Sequence, residues 1–328
     1  MRVFVAGAGG AVGKRLVPML VARGHQVTGT TSRPETADRI RRLGAEPIVV
    51  DGLDAVGIGQ AVARAEPDAI IHEMTALSGT PDFKHFDRWF ALTNRLRTEG
   101  TENLLAAATA SGVKRFLAQS FTGWSNSRTG SWIKTEDDPL DPRPLKEQTE
   151  TLAAIRFLEH AVLEAPLEGI VVRYGGLYGP GSSEKLVEIL NRRMFPVIGN
   201  GAGMVSSTHI DDAAGGTLAA LERGRRGIYN IVDDEPAPSR EFIPAIAEAV
   251  GAKPPLHVPA WLGRLFAGEI AVTMMTEGRG SSNVKAKREL GWQPIWPSWR
   301  DGFRHGLDTA VPLPPRAPDI DHEAISAA

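Results

Sequence analysis

The chain has 328 residues, with 37 lysines and arginines against 39 aspartates and glutamates and a net charge of -2. This balance gives no electrostatic reason to expect nucleic acid or a membrane surface as a partner. Hydrophobic residues make up 42% and charged residues 23%, which are ordinary globular values and exclude a wholly disordered chain. The absence of cysteine excludes disulfides, thiolate nucleophiles and cysteine-ligated metals, and it agrees with a reducing compartment.

No stretch of the sequence reaches the roughly 20 uninterrupted apolar residues that a membrane-spanning helix needs. The longest candidate, residues 258–278, contains Arg264 and Glu269 and is predicted to be a helix of the C-terminal part. At the N-terminus, an apolar stretch over residues 3–6 runs directly into glycines and then into Lys14 and Arg15, unlike a secretion signal. We therefore expect a cytoplasmic protein without a membrane partner.

Strands and amphipathic helices alternate through the first two thirds of the chain. The apolar patterns predict strands over residues 2–6, 26–31, 47–51, 69–72, 115–120, 169–174 and 227–232. They predict helices over residues 13–23, 86–110 and 150–163. Such alternation predicts an α/β fold built on a doubly wound parallel sheet, with right-handed crossovers and helices on both faces.

The pattern loosens beyond residue 174. Residues 175–182 and 199–203 are predicted loops, and 236–292 is rich in proline and of mixed helical character. We predict one domain from residues 1–175 together with about 204–235, and a smaller, discontinuous lobe from about 176–203 and 236–310. Residues 311–328 contain four prolines and little to bury, which predicts a flexible tail.

A glycine-rich turn joins the first predicted strand to the first predicted helix. Gly7, Gly10 and Gly13 have the spacing G-x-x-G-x-x-G. Without side chains at these positions, the backbone around Ala11 and Val12 can approach a pyrophosphate at the helix N-terminus. The alternative is a tight turn that serves packing only. The position between a strand and a helix favours dinucleotide binding by all five residues.

The segment after the second strand bears on the choice between NAD and NADP. Dinucleotide-binding folds that prefer NAD place a carboxylate about 20 residues after the glycines, where it holds the ribose 2′-hydroxyl. This chain has Thr31, Ser32 and Arg33, and no carboxylate appears before Glu35. Hydroxyls and a guanidinium suit a 2′-phosphate, so we predict NADP, with NAD still open and with Arg33 as a solvated charge the alternative.

Several further motifs occur in the order and spacing of one family. They lie at residues 7–13, 100–105, 173–181, 209–213, 228–230 and 289–294. On these motifs the chain resembles the extended short-chain dehydrogenase/reductases, or NAD-dependent epimerase/dehydratase family, over about residues 2–310. The resemblance implies a Rossmann-type domain with a smaller, discontinuous C-terminal substrate lobe. The active site would lie in the cleft between them, and a small molecule would be the substrate.

The resemblance also implies cofactor contacts beyond the glycine turn. Asp51 and Gly52 are expected near the adenine. The other implied contacts follow two later strands and are Met74, Thr75 and Ala76 along the cofactor, and Tyr174, Gly175 and Gly176 at the nicotinamide. Many relatives dimerise through a four-helix interface, so the resemblance makes a homodimer an expectation.

The catalytic signature of this family is a tyrosine followed four residues later by a lysine, on the helix after the fifth strand. Four residues after the three tyrosines stand Tyr178, Ser182 and Asp233, so the pair is absent from this sequence. On the expected helix, Leu152 and Arg156 occupy the two places. Arg156 either contacts the cofactor ribose or phosphate or is a surface charge.

Two hydroxyls after the fifth strand are the catalytic candidates, because the family carries a serine or threonine there. Thr122 and Ser120 are both available to hold a substrate oxygen, although Ser120 could simply bond backbone at the strand end. His72 and His209 are predicted to be structural, since neither has a second ligand at metal spacing, and we expect no metal site.

The leading hypothesis is an NADP-dependent oxidoreductase or epimerase-type enzyme that acts on a small carbonyl or hydroxyl substrate with a non-standard proton donor. The missing tyrosine–lysine pair favours a second hypothesis, a non-catalytic NADP(H)-binding sensor or scaffold. A redox-neutral reaction on bound cofactor is a third. A nucleotide-sugar epimerase or dehydratase is a further alternative, but the compressed segment 278–283 carries Arg279 without the acidic residue usual in those enzymes.

Overall fold

The computed structural model describes residues 1–77, 79 and 81–308, and its strands and helices alternate along the chain. The strands are β1 (Arg2–Ala6), β2 (Gln26–Thr31), β3 (Glu46–Val49), β4 (Ala69–His72), β5 (Arg115–Phe121), β6 (Ile133–Lys134), β7 (Glu168–Tyr174), β8 (Gly176–Tyr178), β9 (Val197–Ile198), β10 (Met204–Val205), β11 (Ser207–His209), β12 (Gly227–Ile231), β13 (Ala237–Pro238), β14 (His257–Val258) and β15 (Gly280–Ser281). The α-helices are α1 (Gly13–Ala22), α2 (Ala37–Arg42), α3 (Ala55–Ala65), α4 (Phe86–Arg97), α5 (Glu99–Ala110), α6 (Thr149–Glu164), α7 (Glu184–Asn191), α8 (Ile210–Arg223), α9 (Ser239–Ala249), α10 (Ala260–Ala267), α11 (Glu269–Glu277), α12 (Val284–Leu290) and α13 (Trp299–His305).

The largest sheet of the described residues has seven strands in the order β12-β7-β5-β4-β1-β2-β3. Every pairing in it is parallel, and Val5 at its centre lies opposite Gly29 on one side and Ile71 on the other. The chain runs outward from β1 in both directions, so the carboxyl ends of β1 and β4 open a crevice where such folds bind ligands. The predicted α/β class and doubly wound parallel sheet are confirmed.

Both faces of this sheet are covered by helices. Leu16 and Leu20 of α1 pack with Ala213 and Leu221 of α8 in one core cluster. A second cluster on the opposite face includes side chains from α3, α5 and α6. Because both faces are buried, the central strands carry near-continuous apolar runs, which is the signal that made them predictable.

A third cluster forms the core of the C-terminal part. Phe242 of α9 lies 4.7 Å from Trp299 of α13 between ring centroids, and Tyr178 stacks on Phe303 at 4.5 Å. Short strand pairs connect this part, namely β15 with β6, β8 with β11, β9 with β14 and β10 with β13. The predicted domain limits at residues 175, 204 and 235 stay a prediction.

Two predicted helices are each divided in the structure. The stretch 86–110 forms α4 and α5, separated at Thr98, whose φ and ψ are −96° and −83° and whose hydroxyl donates to the carbonyl of Asn94 at 3.0 Å. The stretch 258–278 forms α10 and α11, separated at Gly268, where φ is +89°. A left-handed glycine ends a helix that an apolar pattern alone would continue.

The prediction of a loop over residues 175–182 is wrong in part, because β8 lies within it. β8 is a strand only through its parallel pairing with β11, which no local alternation over three residues could indicate. The other predicted strands and helices differ at most by one or two residues at their ends. The predicted flexible tail, residues 311–328, lies outside the described residues. In the described part of the chain, no helix is both long and apolar enough to cross a membrane.

Candidate functional site

The glycine turn lies at the carboxyl end of β1, above the switch in strand order. Gly7 has φ of +93°, and a Cβ there would lie 2.8 Å from the carbonyl carbon of Glu73. A Cβ on Gly13 would lie 2.6 Å from the Gly7 carbonyl oxygen. Gly10 differs, since it is exposed and its Cβ would approach only the oxygen of Gly7, at 3.1 Å. Two glycines therefore hold the turn closed, and the third leaves its outer side open.

The first turn of α1 points its backbone donors at this open side. Val12 is the N-cap of α1, and no described side chain caps it. The amide of Gly10 donates to Gly7 O at 2.9 Å, which tightens the turn below Ala11. Uncapped N–H groups and the positive end of the helix dipole suit a pyrophosphate. The structure thus brings together all five predicted residues of the turn, and they fit a dinucleotide.

The loop after β2 presents the predicted 2′-phosphate residues. Ser32 and Arg33 are exposed, and the Thr31 hydroxyl accepts a hydrogen bond from the Arg33 amide at 3.0 Å. Thr31 also bonds Thr36 at 2.6 Å, which fixes the start of the loop. Burial, and then the charge of Arg39, lower the pKa of Lys14. Cationic groups therefore lie around the turn.

The residues expected beside the adenine and along the cofactor follow β3 and β4. Asp51 is exposed and accepts from the Leu53 amide at 3.0 Å. Gly52 contacts Met74, whose thioether occupies the space that a side chain on Gly52 would need. Thr75 is exposed and Ala76 half-buried. These residues line the same sheet edge as the glycine turn, as two parallel strand ends must.

A buried carboxyl that sequence reasoning missed lies directly under the glycine turn. Glu73 is 4% exposed and accepts a hydrogen bond from the Tyr174 hydroxyl at 2.8 Å. That hydroxyl also bonds Thr217 of α8. Burial raises the pKa of Glu73 to about 8, against a smaller opposing effect of the Tyr174 bond. The sequence contains one signal for this buried carboxyl, namely an acidic residue directly after the apolar strand β4.

The backbone after Tyr174 reaches the predicted nicotinamide side. The amide of Gly175 donates to the Thr208 hydroxyl at 2.9 Å, and that of Gly176 donates to Ser206 O at 2.9 Å. Gly175 is buried against Ser206 and Gly176 is exposed. Tyr174 itself is 2% exposed and directs its hydroxyl into the protein, so the cofactor contact predicted for this segment would come from its backbone.

Ser120 belongs to a buried charge network rather than to an open site. Its hydroxyl donates to Glu159 at 2.7 Å, and Arg173 donates to the same carboxylate from Nε and from one terminal nitrogen, at 2.7 Å each. Arg97 approaches the same carboxylate, and burial lowers its pKa to about 10. The serine is thus held by Glu159, whose position beside it no local sequence pattern indicates.

Thr122 joins the loop after β5 to β15. Its hydroxyl bonds the Ser281 hydroxyl at 2.6 Å, and the Asn126 amide donates to both oxygens, at 3.0 and 3.2 Å. Thr122 is 1% exposed. This closed group of three lies next to a cleft that Asn126 lines. A catalytic role for Thr122 or Ser120 stays a prediction.

Helix α6 carries Leu152 and Arg156, which are predicted to occupy the places of the family's tyrosine and lysine. Leu152 is buried, and Arg156 is exposed with its guanidinium bonded to the carbonyl of Asp141. Arg156 therefore supports a loop of the cleft, and its contact with a cofactor stays a prediction. The three tyrosines of the chain all lie elsewhere and are at most 2% exposed.

His72 and His209 both have their ring nitrogens occupied by backbone groups. His72 contacts Leu96 O at 3.2 Å and accepts from the Met74 amide at 3.2 Å, and burial lowers its pKa to about 4. His209 contacts Gly306 O at 2.8 Å and accepts from the Asp211 amide at 3.2 Å. Both rings fix loops at strand ends, which agrees with the structural role expected of them.

A cleft opens beside Thr122, between the loop after β5 and the C-terminal part. Its lining is Gly123, Trp124, Asn126, Arg128, Asp141, Gln148, Thr273, Met274, Gly278 and Arg279. Trp124 is the aromatic residue of this lining, and Phe86, Trp89, Phe90 and Phe121 pack behind it, with Phe86 and Phe90 buried. We call these five rings the aromatic wall, of which Trp124 faces the cleft. Trp124 stacks on Phe121 at 5.6 Å and meets Phe86 edge-on at 5.0 Å. The cleft thus combines aromatic surface with two arginines.

Two curated relatives with similar sequences are named as reductases. A Streptomyces protein named 3-diazoavenalumate denitrifying reductase is 39% identical over 312 residues, which cover 92% of this chain and 99% of the relative. A Stigmatella aurantiaca protein named 4-hydroxy-2-methyl-3-oxo-4-farnesyl-3,4-dihydroquinoline-1-oxide ketoreductase is 27% identical over 334 residues, covering 94% and 95%.

A solved structure supports the fold independently. The human epimerase family protein crystallised with NADPH superposes with a TM-score of 0.72 at 22% identity, covering 94% of this chain and 99% of that protein. The family model described as NAD dependent epimerase/dehydratase matches residues 3–232, most of the chain, and spans the glycine turn, β4 and the segment after β7. The chain therefore belongs to the NAD dependent epimerase/dehydratase family and is an NAD(P)-dependent oxidoreductase or epimerase of that family.

Proposed function

We propose that the protein is an NADPH-dependent reductase that removes the diazo group of a compact aromatic substrate as dinitrogen. The observation that carries this proposal is that none of the three tyrosines is followed four residues later by a lysine. On α6, Leu152 and Arg156 are predicted to take the places of the family's proton donor and its lysine. With these two residues the chain lacks the Tyr-x-x-x-Lys pair, while its dinucleotide turn is complete.

The chemistry of the acceptor explains how a reductase can work without that pair. Reduction of a carbonyl needs a proton on the developing alkoxide, which the tyrosine usually supplies. An aryl diazonium ion is already cationic and takes a hydride on its terminal nitrogen without a proton. The resulting aryldiazene loses dinitrogen, so that the C–N bond breaks, a C–H bond forms and Ar–N₂⁺ plus H⁻ becomes Ar–H plus N₂. NADPH, when bound, supplies the hydride.

The residues of the site divide this work between binding and positioning. The glycine turn binds the pyrophosphate, and Thr31, Ser32 and Arg33 hold the 2′-phosphate, which is the basis for preferring NADP over NAD. Trp124, which faces the cleft in front of the aromatic wall, packs on the ring of the substrate. The compressed segment 278–283, which carries Arg279 without the acidic residue usual in nucleotide-sugar enzymes, favours a smaller substrate than a nucleotide sugar. The Streptomyces relative, named for a diazo substrate and for removing nitrogen, supports the same class.

The test is the stoichiometry of the reaction. An aryl diazonium prepared from an amino-hydroxycinnamic acid should yield NADP⁺, dinitrogen and the hydrogen-bearing arene in equal amounts, each measured separately. Diazonium ions also react with NADPH in free solution. The Gly10→Val variant, which is expected to lose NADPH binding, therefore measures the uncatalysed rate. Equal rates with the wild type and with this variant would refute the proposal.

A ketoreductase is the second candidate, and it retains the expected small carbonyl or hydroxyl substrate. The Stigmatella relative is named as one, and the hydroxyls of Thr122 and Ser281 lie beside the cleft as alternative proton donors. Replacing Thr122 with valine should lower kcat on a ketone far more than NADPH affinity, and it should leave diazonium turnover nearly unchanged. Tight NADPH binding with no turnover of either class would instead favour the sensor hypothesis. The cytoplasmic location and the homodimer stay predictions.

A further inference from the structure

One arginine in the cleft has no anionic partner. Arg279 precedes β15 and is 8% exposed, so its guanidinium is largely removed from water. Its two terminal nitrogens donate to the carbonyls of Glu277, at 2.9 Å, and Arg128. Its Nε is buried and has no hydrogen-bond acceptor among the described residues. None of the carboxylates in the described part of the chain forms an ion pair with it.

The neighbouring arginine shows the contrast. Arg128 donates from Nε to Asp141 at 2.9 Å and from its terminal nitrogens to Glu277 at 3.2 Å and to Arg143 O at 2.9 Å. All three of its nitrogens and its charge are therefore satisfied within the protein. Both arginines line the same cleft, and of the two only Arg279 has a nitrogen without a hydrogen-bond acceptor.

The orientation of Arg279 is fixed before any ligand arrives. Its guanidinium lies over the ring of Trp132 with 3.9 Å between the central carbon and the ring centroid. Cation–π stacking and two backbone acceptors leave the side chain little rotational freedom. A buried charge without a counter-ion is costly, and proteins usually pair such groups. A ligand carboxylate or phosphate bound in the cleft would supply the missing counter-ion.

We propose that Arg279 binds the carboxylate of the substrate, so that the enzyme acts on an aromatic acid held with its ring against the aromatic wall and its carboxylate at Nε. This assignment rests on the proposed function in one respect, since both assume that the substrate ring binds in this cleft. It does not depend on the identity of the reacting group. A guanidinium accepts a carboxylate or a phosphate by the same charge-assisted hydrogen bonds, so the test has to separate these two sources.

The experiment is calorimetric binding to the NADP⁺ complex, which needs no turnover. 4-Hydroxycinnamate and its methyl ester differ by one negative charge at the proposed contact. The wild type should bind the acid about tenfold or more tightly than the ester, since a hydrogen bond to a charged group of this kind is lost. Arg279→Met should bind the acid only as tightly as the ester, and its affinity for the ester should differ little from that of the wild type. The control Arg143→Met removes an exposed arginine outside the cleft lining and should keep the preference for the acid.

Several results would overturn the assignment. Equal binding of acid and ester by the wild type would do so, and because this comparison uses no variant, poor folding of Arg279→Met cannot obscure it. A preference for the acid that persists in Arg279→Met would also do so. UDP binding that is lost in Arg279→Met, without binding of the acid, would assign the site to phosphate instead. A preference for the acid that depends on Arg279, without diazonium turnover, would support this assignment and refute the proposed function. Diazonium turnover with acid binding that does not depend on Arg279 would support the proposed function and refute this assignment.

Discussion

Replacing Gly10 with valine distinguishes two roles of the glycine turn, namely shaping the backbone and leaving space for a pyrophosphate. A Cβ at position 10 would approach only the Gly7 carbonyl oxygen, at 3.1 Å, and the residue is exposed. The fold should therefore lose about 1 kcal/mol or less, as surface substitutions do. For a chain of this length that loss corresponds to a fall in Tm of about 4 °C or less.

Cofactor binding should suffer far more than stability. A branched side chain at this position would stand between the phosphates and the N–H groups at the start of α1. Losing two charge-assisted hydrogen bonds, at about 1.5 kcal/mol each or more, corresponds to a weakening of about a hundredfold or more. Isothermal titration with NADPH, beside a thermal melt of the same sample, measures both quantities.

Two matched substitutions make this prediction sharper. Gly7→Ala forces an alanine into φ of +93° and within 2.8 Å of Glu73 backbone, so it should lower Tm strongly. A Cβ on Gly59 of α3 would meet nothing within 4 Å, so Gly59→Ala should leave NADPH affinity unchanged. If Gly10→Val binds NADPH within threefold of the wild type, the glycines serve only as a turn and the cofactor site lies elsewhere.

The remaining predictions concern three charged groups. Arg33→Ala should weaken NADPH about tenfold or more and leave NADH nearly unchanged, because only the 2′-phosphate is lost; equal affinity of the wild type for both cofactors, measured by fluorescence titration, would contradict this. Glu159→Gln should cost about 3–5 kcal/mol in urea unfolding, because Arg173 would stay buried without its counter-ion; a loss below about 1 kcal/mol would count against that account. The pKa of Glu73 is raised from 4.5 to about 8, so its neutral form stabilises the fold fully below about pH 4.5 and this stabilisation is lost as the pH rises through about 8. Between pH 5 and pH 8, the free energy of unfolding of Glu73→Gln should therefore fall less than that of the wild type, and equal falls would refute the assignment.

The elements that the sequence predicts best are those whose apolar patterns are long and local. The strands of the central sheet and the helices α1 and α6 follow from such patterns, and the glycine turn follows from residue type and spacing. The breaks at Thr98 and Gly268 were missed because an apolar stripe continues across both positions. One break depends on a hydroxyl that bonds backbone, and the other on a left-handed glycine.

The parts of the site that were not predictable depend on contacts between residues far apart in the chain. Ser120 was correctly placed at the end of β5, but its partner Glu159 comes from α6. Thr122 meets Ser281 from the opposite end of the sequence. Arg279 was noted as a cation, and its vacant Nε became visible only once Glu277 and Arg128 were placed around it. Tertiary partners of this kind carry no local signal.

The order in which the chain leaves the ribosome gives the strand arrangement a further consequence. The glycine turn and strands β1 to β5 are made early, and N-terminal parts generally fold first during synthesis. Strand β7 keeps an open edge until β12 emerges, and β6 waits for β15 near the end of the described chain. Open edges invite pairing with other chains. A nascent chain that already holds NADPH gains stability by mass action. The cofactor can therefore act as a folding ligand, protecting the sheet while the C-terminal side of the cleft is still being synthesised.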